Sequence, residues 1–157
     1  MPSLRSRALA VTAALVLVTL SAGFASADGG VGNRNAENTY TKWLNGAPNM
    51  SGFVGGDVGN GTFSGTVLAK VVSGTTVTID AVYRFSGSIH SFTADVHVVQ
   101  TGLTIGATSV ITGRVTDGWL KDNEVSGHYL VITCSEAPNG VCFTGEVDIL
   151  RGTKPAD

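Results

Sequence analysis

From Gly52 onward the chain alternates apolar and polar residues in short runs rich in β-branched side chains, punctuated by Gly, Asn and Asp. Successive side chains of a strand point to opposite faces, so this alternation predicts strands with one buried and one wet face. The clearest runs from Thr75 to Phe85. Val77, Ile79, Ala81, Tyr83 and Phe85 share one face, and Thr76, Thr78, Asp80 and Arg84 share the other, with Val82 the exception. In the next run, Phe92 to Val99, the inner set is Phe92, Ala94, Val96 and Val98. Inner positions thus change from odd to even. A slip of one residue turns every side chain over, so the chain must break between the two runs, and Ser86-Gly87-Ser88 is the turn. Later strands are predicted over Ser109 to Val115, Glu124 to Cys134 and Cys142 to Leu150, with turns at Thr101-Gly102, Asp117-Gly118 and Asp122-Asn123. The polar, Gly- and Asn-rich residues 28–50 show no such alternation. They read as an extended lead-in anchored by Tyr40, Trp43 and Leu44, with one short helical turn around Thr41 to Leu44.

A five-residue signature recurs within the strands: apolar, Ser or Thr, Gly, any residue, apolar. It appears at Phe63 to Val67, Ile111 to Val115, Val125 to Tyr129 and Phe143 to Val147, and again at Phe85 to Ile89, where the parity change places a turn. In each strand copy the Gly falls on the inner face. A Gly inside a strand weakens it and marks a bend or a close backbone approach. Repeated on neighbouring strands, it predicts strongly coiled strands closing a small barrel. The expected fold is therefore all-β, a single antiparallel meander of about seven or eight strands forming a closed or nearly closed barrel over residues 51–152, with a tail at 153–157. A two-sheet sandwich is the alternative. Streptavidin-like, lipocalin-like and dirigent-type barrels share this outline, but the chain has no diagnostic motif of any of them. A biotin site needs a ring of tryptophans, and here there are only Trp43 and Trp119.

The first 27 residues read as an address rather than a structure. Arg5 and Arg7 precede the uncharged, apolar run Ala8 to Leu20, and a small-residue stretch ends in Ala25-Ser26-Ala27. These are the parts of a cleaved secretory signal peptide. The apolar run is shorter than the roughly 20 residues that span a bilayer, and no later segment approaches that length, so no membrane span is expected in the mature chain. Cleavage before Asp28 changes the balance from 10 basic and 12 acidic residues to 8 and 12, a net charge of about -4. That charge excludes the basic footprint of a nucleic-acid binder. Cys134 and Cys142 enclose a loop rich in turn formers, including Pro138, Asn139 and Gly140. In an oxidising compartment they form a disulfide across a hairpin end. No C-x-x-C spacing or further thiol supports a redox or metal pair.

Candidate chemistry is sparse. The nucleophile elbow G-x-S-x-G is absent, and three histidines with scattered acids define no triad without geometry. Asp95 and His97 lie on one strand face and suggest a zinc or copper site with His90 or His128, but alternation assigns that face to solvent. No metal and no cofactor is predicted. Gly55 to Gly61 lacks the Lys-Ser or Lys-Thr of a phosphate loop and leads into a strand, not a helix. Trp119, beside the Asp117-Gly118 turn, either offers a stacking platform or plugs one barrel end. The expectation is a secreted, non-catalytic barrel that binds a small apolar molecule or an extracellular protein, with Trp119, Tyr83, Tyr129 and His90 as candidate contacts. Two alternatives remain: a barrel-cavity enzyme of cyclase or isomerase type, in which two or more of Tyr83, Tyr129, His90 and Glu124 converge in one pocket, and an inhibitor presenting the Cys134–Cys142 loop.

Overall fold

The computed structural model describes residues 34–152, and the proposed signal segment lies outside them. Eight antiparallel strands follow one another around a closed barrel: β1 (Ala36–Leu44), β2 (Asn49–Gly56), β3 (Gly61–Ser73), β4 (Thr76–Gly87), β5 (Ser91–Thr101), β6 (Thr108–Gly118), β7 (Glu124–Thr133) and β8 (Val141–Leu150). Each strand pairs with its neighbours in sequence, and β1 closes the ring by pairing with β8, Tyr40 opposite Gly145. The sandwich is thereby excluded, because neither sheet edge is left open.

Most predicted inner faces are the observed ones. Val77, Ala81, Tyr83 and Phe85 of β4 and Phe92, Ala94, Val96 and Val98 of β5 are buried. The change of parity is accommodated by the hairpin register, Phe85 opposite Phe92, with Ser88 to His90 as the connection. The signature glycines close the barrel. A Cβ on Gly113 would lie 2.1 Å from the Asp95 carbonyl oxygen, and one on Gly145 2.0 Å from that of His128. Both would collide with the backbone of the adjacent strand, so these strands lean across one another more tightly than any side chain at the crossing permits.

The lead-in is a correction. Residues 36–44 are not an extended approach with a helical turn but strand β1, and Asn49 to Gly56 form β2, so the barrel begins at Ala36 rather than at residue 51. Their alternation is hidden because two of the inward residues of β1, Asn38 and Lys42, are polar, yet both are buried. A second departure lies in β3. The pairing with β4 shifts between Val67 and Ala69, leaving Leu68 as an extra residue. Such a bulge reverses the facing of everything beyond it. Phe63 and Gly65 face inward before it, whereas Lys70 and Val72, opposite Ile79 and Val77, face the lumen after it.

Candidate functional site

Because the strand number is even and every connection is a hairpin, loops alternate between the two barrel ends. The β2–β3, β4–β5 and β6–β7 loops lie at one end, and the β1–β2, β3–β4, β5–β6 and β7–β8 loops at the other.

The first end is closed. Phe85 stacks on Phe92 with ring centres 4.6 Å apart, and Phe63 meets Phe85 edge-on at 5.5 Å. Across them lies the β2–β3 loop, held by Asn38. The Asn38 side-chain oxygen accepts from the Val58 N–H at 3.1 Å, while its amide donates to the Ala36 and Val147 carbonyls at 3.2 and 3.1 Å. The Val58 carbonyl in turn accepts from the Ile89 and His90 N–H groups. Trp119 and His90 belong to this end as well. Their rings stack at 4.0 Å, and the half-buried Trp119 packs against the core rather than standing out as a platform.

The second end is open onto a cavity of about 450 Å³. Its walls are Leu44, Met50, Val67, Val77, Ile79, Val131 and Phe143, and Pro48, Val72, Leu103 and Val141 stand around its mouth. Five polar side chains from different strands also line it: Lys42 of β1, Tyr83 of β4, Gln100 of β5 and Tyr129 of β7 in its depth, and Lys70 of β3 at its exposed mouth. The Tyr129 hydroxyl donates to Gln100 Oε1 at 2.8 Å, and Gln100 Nε2 donates to the Gly102 carbonyl at 2.7 Å, so Gln100 and Tyr129 hold each other in place. The Lys42 ammonium or amine, Nζ, donates to the Tyr83 hydroxyl. It sits 3.9 Å from the centre of the Tyr83 ring and 4.9 Å from that of Tyr129.

Lys42 is only 3% exposed, and among the described residues no carboxylate pairs with it. Removal from water disfavours the charged form, which holds its pKa well below the ordinary lysine value. Burial acts in the opposite direction on the phenols. Tyr40 and Tyr83 are pushed well above the ordinary tyrosine value and Tyr129 to about 12, so all three stay protonated at neutral pH. The floor of the cavity is therefore rich in hydrogen-bonding groups, with its phenols protonated and its one buried amine biased toward the neutral form, beneath apolar walls.

Of the four predicted contact residues, Tyr83 and Tyr129 converge in the cavity, which is the meeting of two named residues that the cavity-enzyme alternative requires, whereas His90 and Trp119 lie together at the far end. Lys42 was missed because its segment read as lead-in. Its parity with Tyr40 and Leu44 is the signal that points inward. Gln100 continues the inner series Phe92, Ala94, Val96, Val98, and was legible by the same rule. Glu124 and His128 are exposed on the outer wall. His97 also faces solvent, its Nδ1 2.7 Å from Asp80 Oδ1, in accord with alternation and away from His90. Among the described residues the one grouping with metal-ligand spacing is Cys134, Glu136 and Cys142, and both of its sulfurs are spent in a disulfide. That disulfide is consistent with an extracellular protein. No described helix is long and apolar enough to cross a membrane.

The fold and site together define a small antiparallel barrel with one plugged end and one open, apolar cavity. No protein-family model matches the chain, and no curated protein or solved structure matches it significantly.

Proposed function

We propose that this is a secreted, non-catalytic binding protein whose barrel holds a small, mainly apolar molecule with a single polar head. The cavity is the observation that carries this reading. Its volume of about 450 Å³ falls within the ~300–1,000 Å³ of small-molecule sites, and apolar walls with a few convergent polar groups are their usual lining. The apolar part of the ligand lies between Val77, Ile79 and Val131, and its head meets Lys42, Tyr83 and the Tyr129–Gln100 pair. The disulfide and the N-terminal sequence pattern support the secreted setting.

The test is titration with N-phenyl-1-naphthylamine, a neutral apolar fluorophore that brightens when removed from water. One site per chain is expected, displaced by 1-nonanol, and closed by Ile79→Trp, which fills the lumen. Phe53→Ser, an exposed position on the outer wall, serves as control. Fluorescence enhancement that survives Ile79→Trp but falls with Phe53→Ser would place binding on the outside and overturn the reading. So would the absence of any enhancement in the wild-type protein.

A further inference from the structure

We propose that Lys42 captures an apolar aldehyde as a reversible imine on the cavity floor. This deepens the binding reading above and rests on it.

Three observations converge. Lys70 lines the cavity only at its mouth, where it is exposed, and Lys121 is exposed, whereas among the described residues Lys42 is the one lysine buried in the apolar interior. It faces the cavity rather than a counter-ion, so a ligand head that reaches the floor meets it directly. Its bonding partner is the hydroxyl of Tyr83. A lysine with no role at this place is disfavoured, because a methionine of similar length fills the same space with no polar group to desolvate.

The geometry suits carbonyl capture. With Nζ donating one hydrogen to Tyr83, the lone pair of a neutral amine and the hydrogen of the Tyr83 hydroxyl are both available to a third group. The lone pair attacks the aldehyde carbon and forms the C–N bond, and Tyr83 protonates the oxygen. The resulting carbinolamine loses that oxygen with the two amine hydrogens as water, leaving C=N. No oxidant or reductant is needed, and Tyr83 regains its proton in the same cycle. Burial favours the neutral amine, the nucleophilic form. A fatty carboxylate is the competing ligand. It requires an ammonium–carboxylate pair inside apolar walls, and desolvating two charges costs more than an uncharged imine does.

Nonanal is the probe, and reduction by cyanoborohydride near neutral pH makes the imine permanent. The wild-type protein is expected to gain one nonyl group, the mass of nonanal less one oxygen. Peptide mapping is expected to place it on Lys42 at least tenfold faster than on Lys70, Lys121, Lys154 or the N-terminal amine. Saturating 1-nonanol suppresses it, Lys42→Met abolishes it, and Tyr83→Phe slows it about tenfold or more. Because the map is made on the wild-type chain, the result does not hang on a variant that folds. Label confined to surface amines, while 1-nonanol still displaces N-phenyl-1-naphthylamine, overturns the imine and leaves lumenal binding intact. Displacement by nonanoate with no label on Lys42 likewise overturns it, in favour of an ion pair. Neither displacement nor label removes both proposals.

Discussion

At the closed end Phe85 and Phe92 face each other across β4 and β5 and stack. A few residues along the same two strands, toward the open end, the facing pair is Val77 and Gln100. The strands, the pairing and the inward parity are the same, and only side-chain volume and polarity differ. Aromatic rings at one end meet in the lumen and exclude everything else, as a barrel of eight strands allows. Shorter aliphatic residues at the other fall short of the axis and leave a cavity floored by Lys42, Tyr83 and Tyr129. One backbone can thus hold a solid half, filled by aromatic packing, and a hollow half that leaves a cavity open to one end.

Substitutions can test that division. The largest effect is expected from Phe85→Ala, which removes a fully buried ring and should cost about 3–5 kcal/mol. Ile79→Ala, on the same inner face but lining the cavity, should cost less than half as much, since one side of Ile79 has no packing partner to lose. Urea unfolding of both variants measures the difference, and equal losses would break the comparison. Asn38→Ala follows, at about 2–3 kcal/mol, because the buried Val58 N–H and the Ala36 and Val147 carbonyls lose their partner. Its loss should also loosen the β2–β3 loop, seen as faster amide exchange at Val58.

Lys42→Met should stabilise the protein, by about 1–2 kcal/mol at neutral pH. The sign follows from proton uptake. Lys42 has a lowered pKa when folded and the ordinary value when unfolded, so between those two values the unfolded chain binds an extra proton. Wild-type stability therefore rises with pH through that window, and the advantage of Lys42→Met shrinks as pH climbs. The titratable groups that face Lys42, namely Tyr40, Tyr83 and Tyr129, all have raised pKa values, so above about pH 10 stability falls again as the unfolded phenols ionise first. Thermal melts of both proteins from pH 6 to 9.5 check this, and parallel curves would contradict it. The smallest stability effect is expected from Leu103→Ser at the exposed rim, within about 0.5 kcal/mol, although affinity for an apolar probe should drop.

Alternation alone made β4 to β8 legible, since Val77 to Phe85 and Phe92 to Val98 announce their inner faces in the sequence. The recurrent glycines announced closure, because a Gly on an inner face makes sense where backbones cross closely. β1 and β2 were hidden by the same chemistry that makes the site. Asn38 and Lys42 break the apolar rhythm from inside the barrel, one to tie down a loop and one to floor the cavity. Glycines at positions 52, 55 and 56 thin out the rhythm of β2. Tyr83 and Tyr129 were visible as inward residues, but their meeting depends on which strands are level across the lumen, and alternation carries no information on that. Trp119 and His90 were drawn to attention by residue type, yet their stacking belongs to the plug.

The extra residue at Leu68 has a consequence for how this barrel can diverge. Substitutions at Lys70 or Val72 change one wall position each, and the register of the hairpin survives. Loss of the single codon for Leu68 would heal the bulge and keep the same pairing, with Lys70 opposite Ile79 and Val72 opposite Val77, still facing the lumen. In a lineage of such barrels, the wall at the mouth would then survive the loss of that one residue, and its lining would change by substitution at Lys70 or Val72 rather than by a slip of the strand.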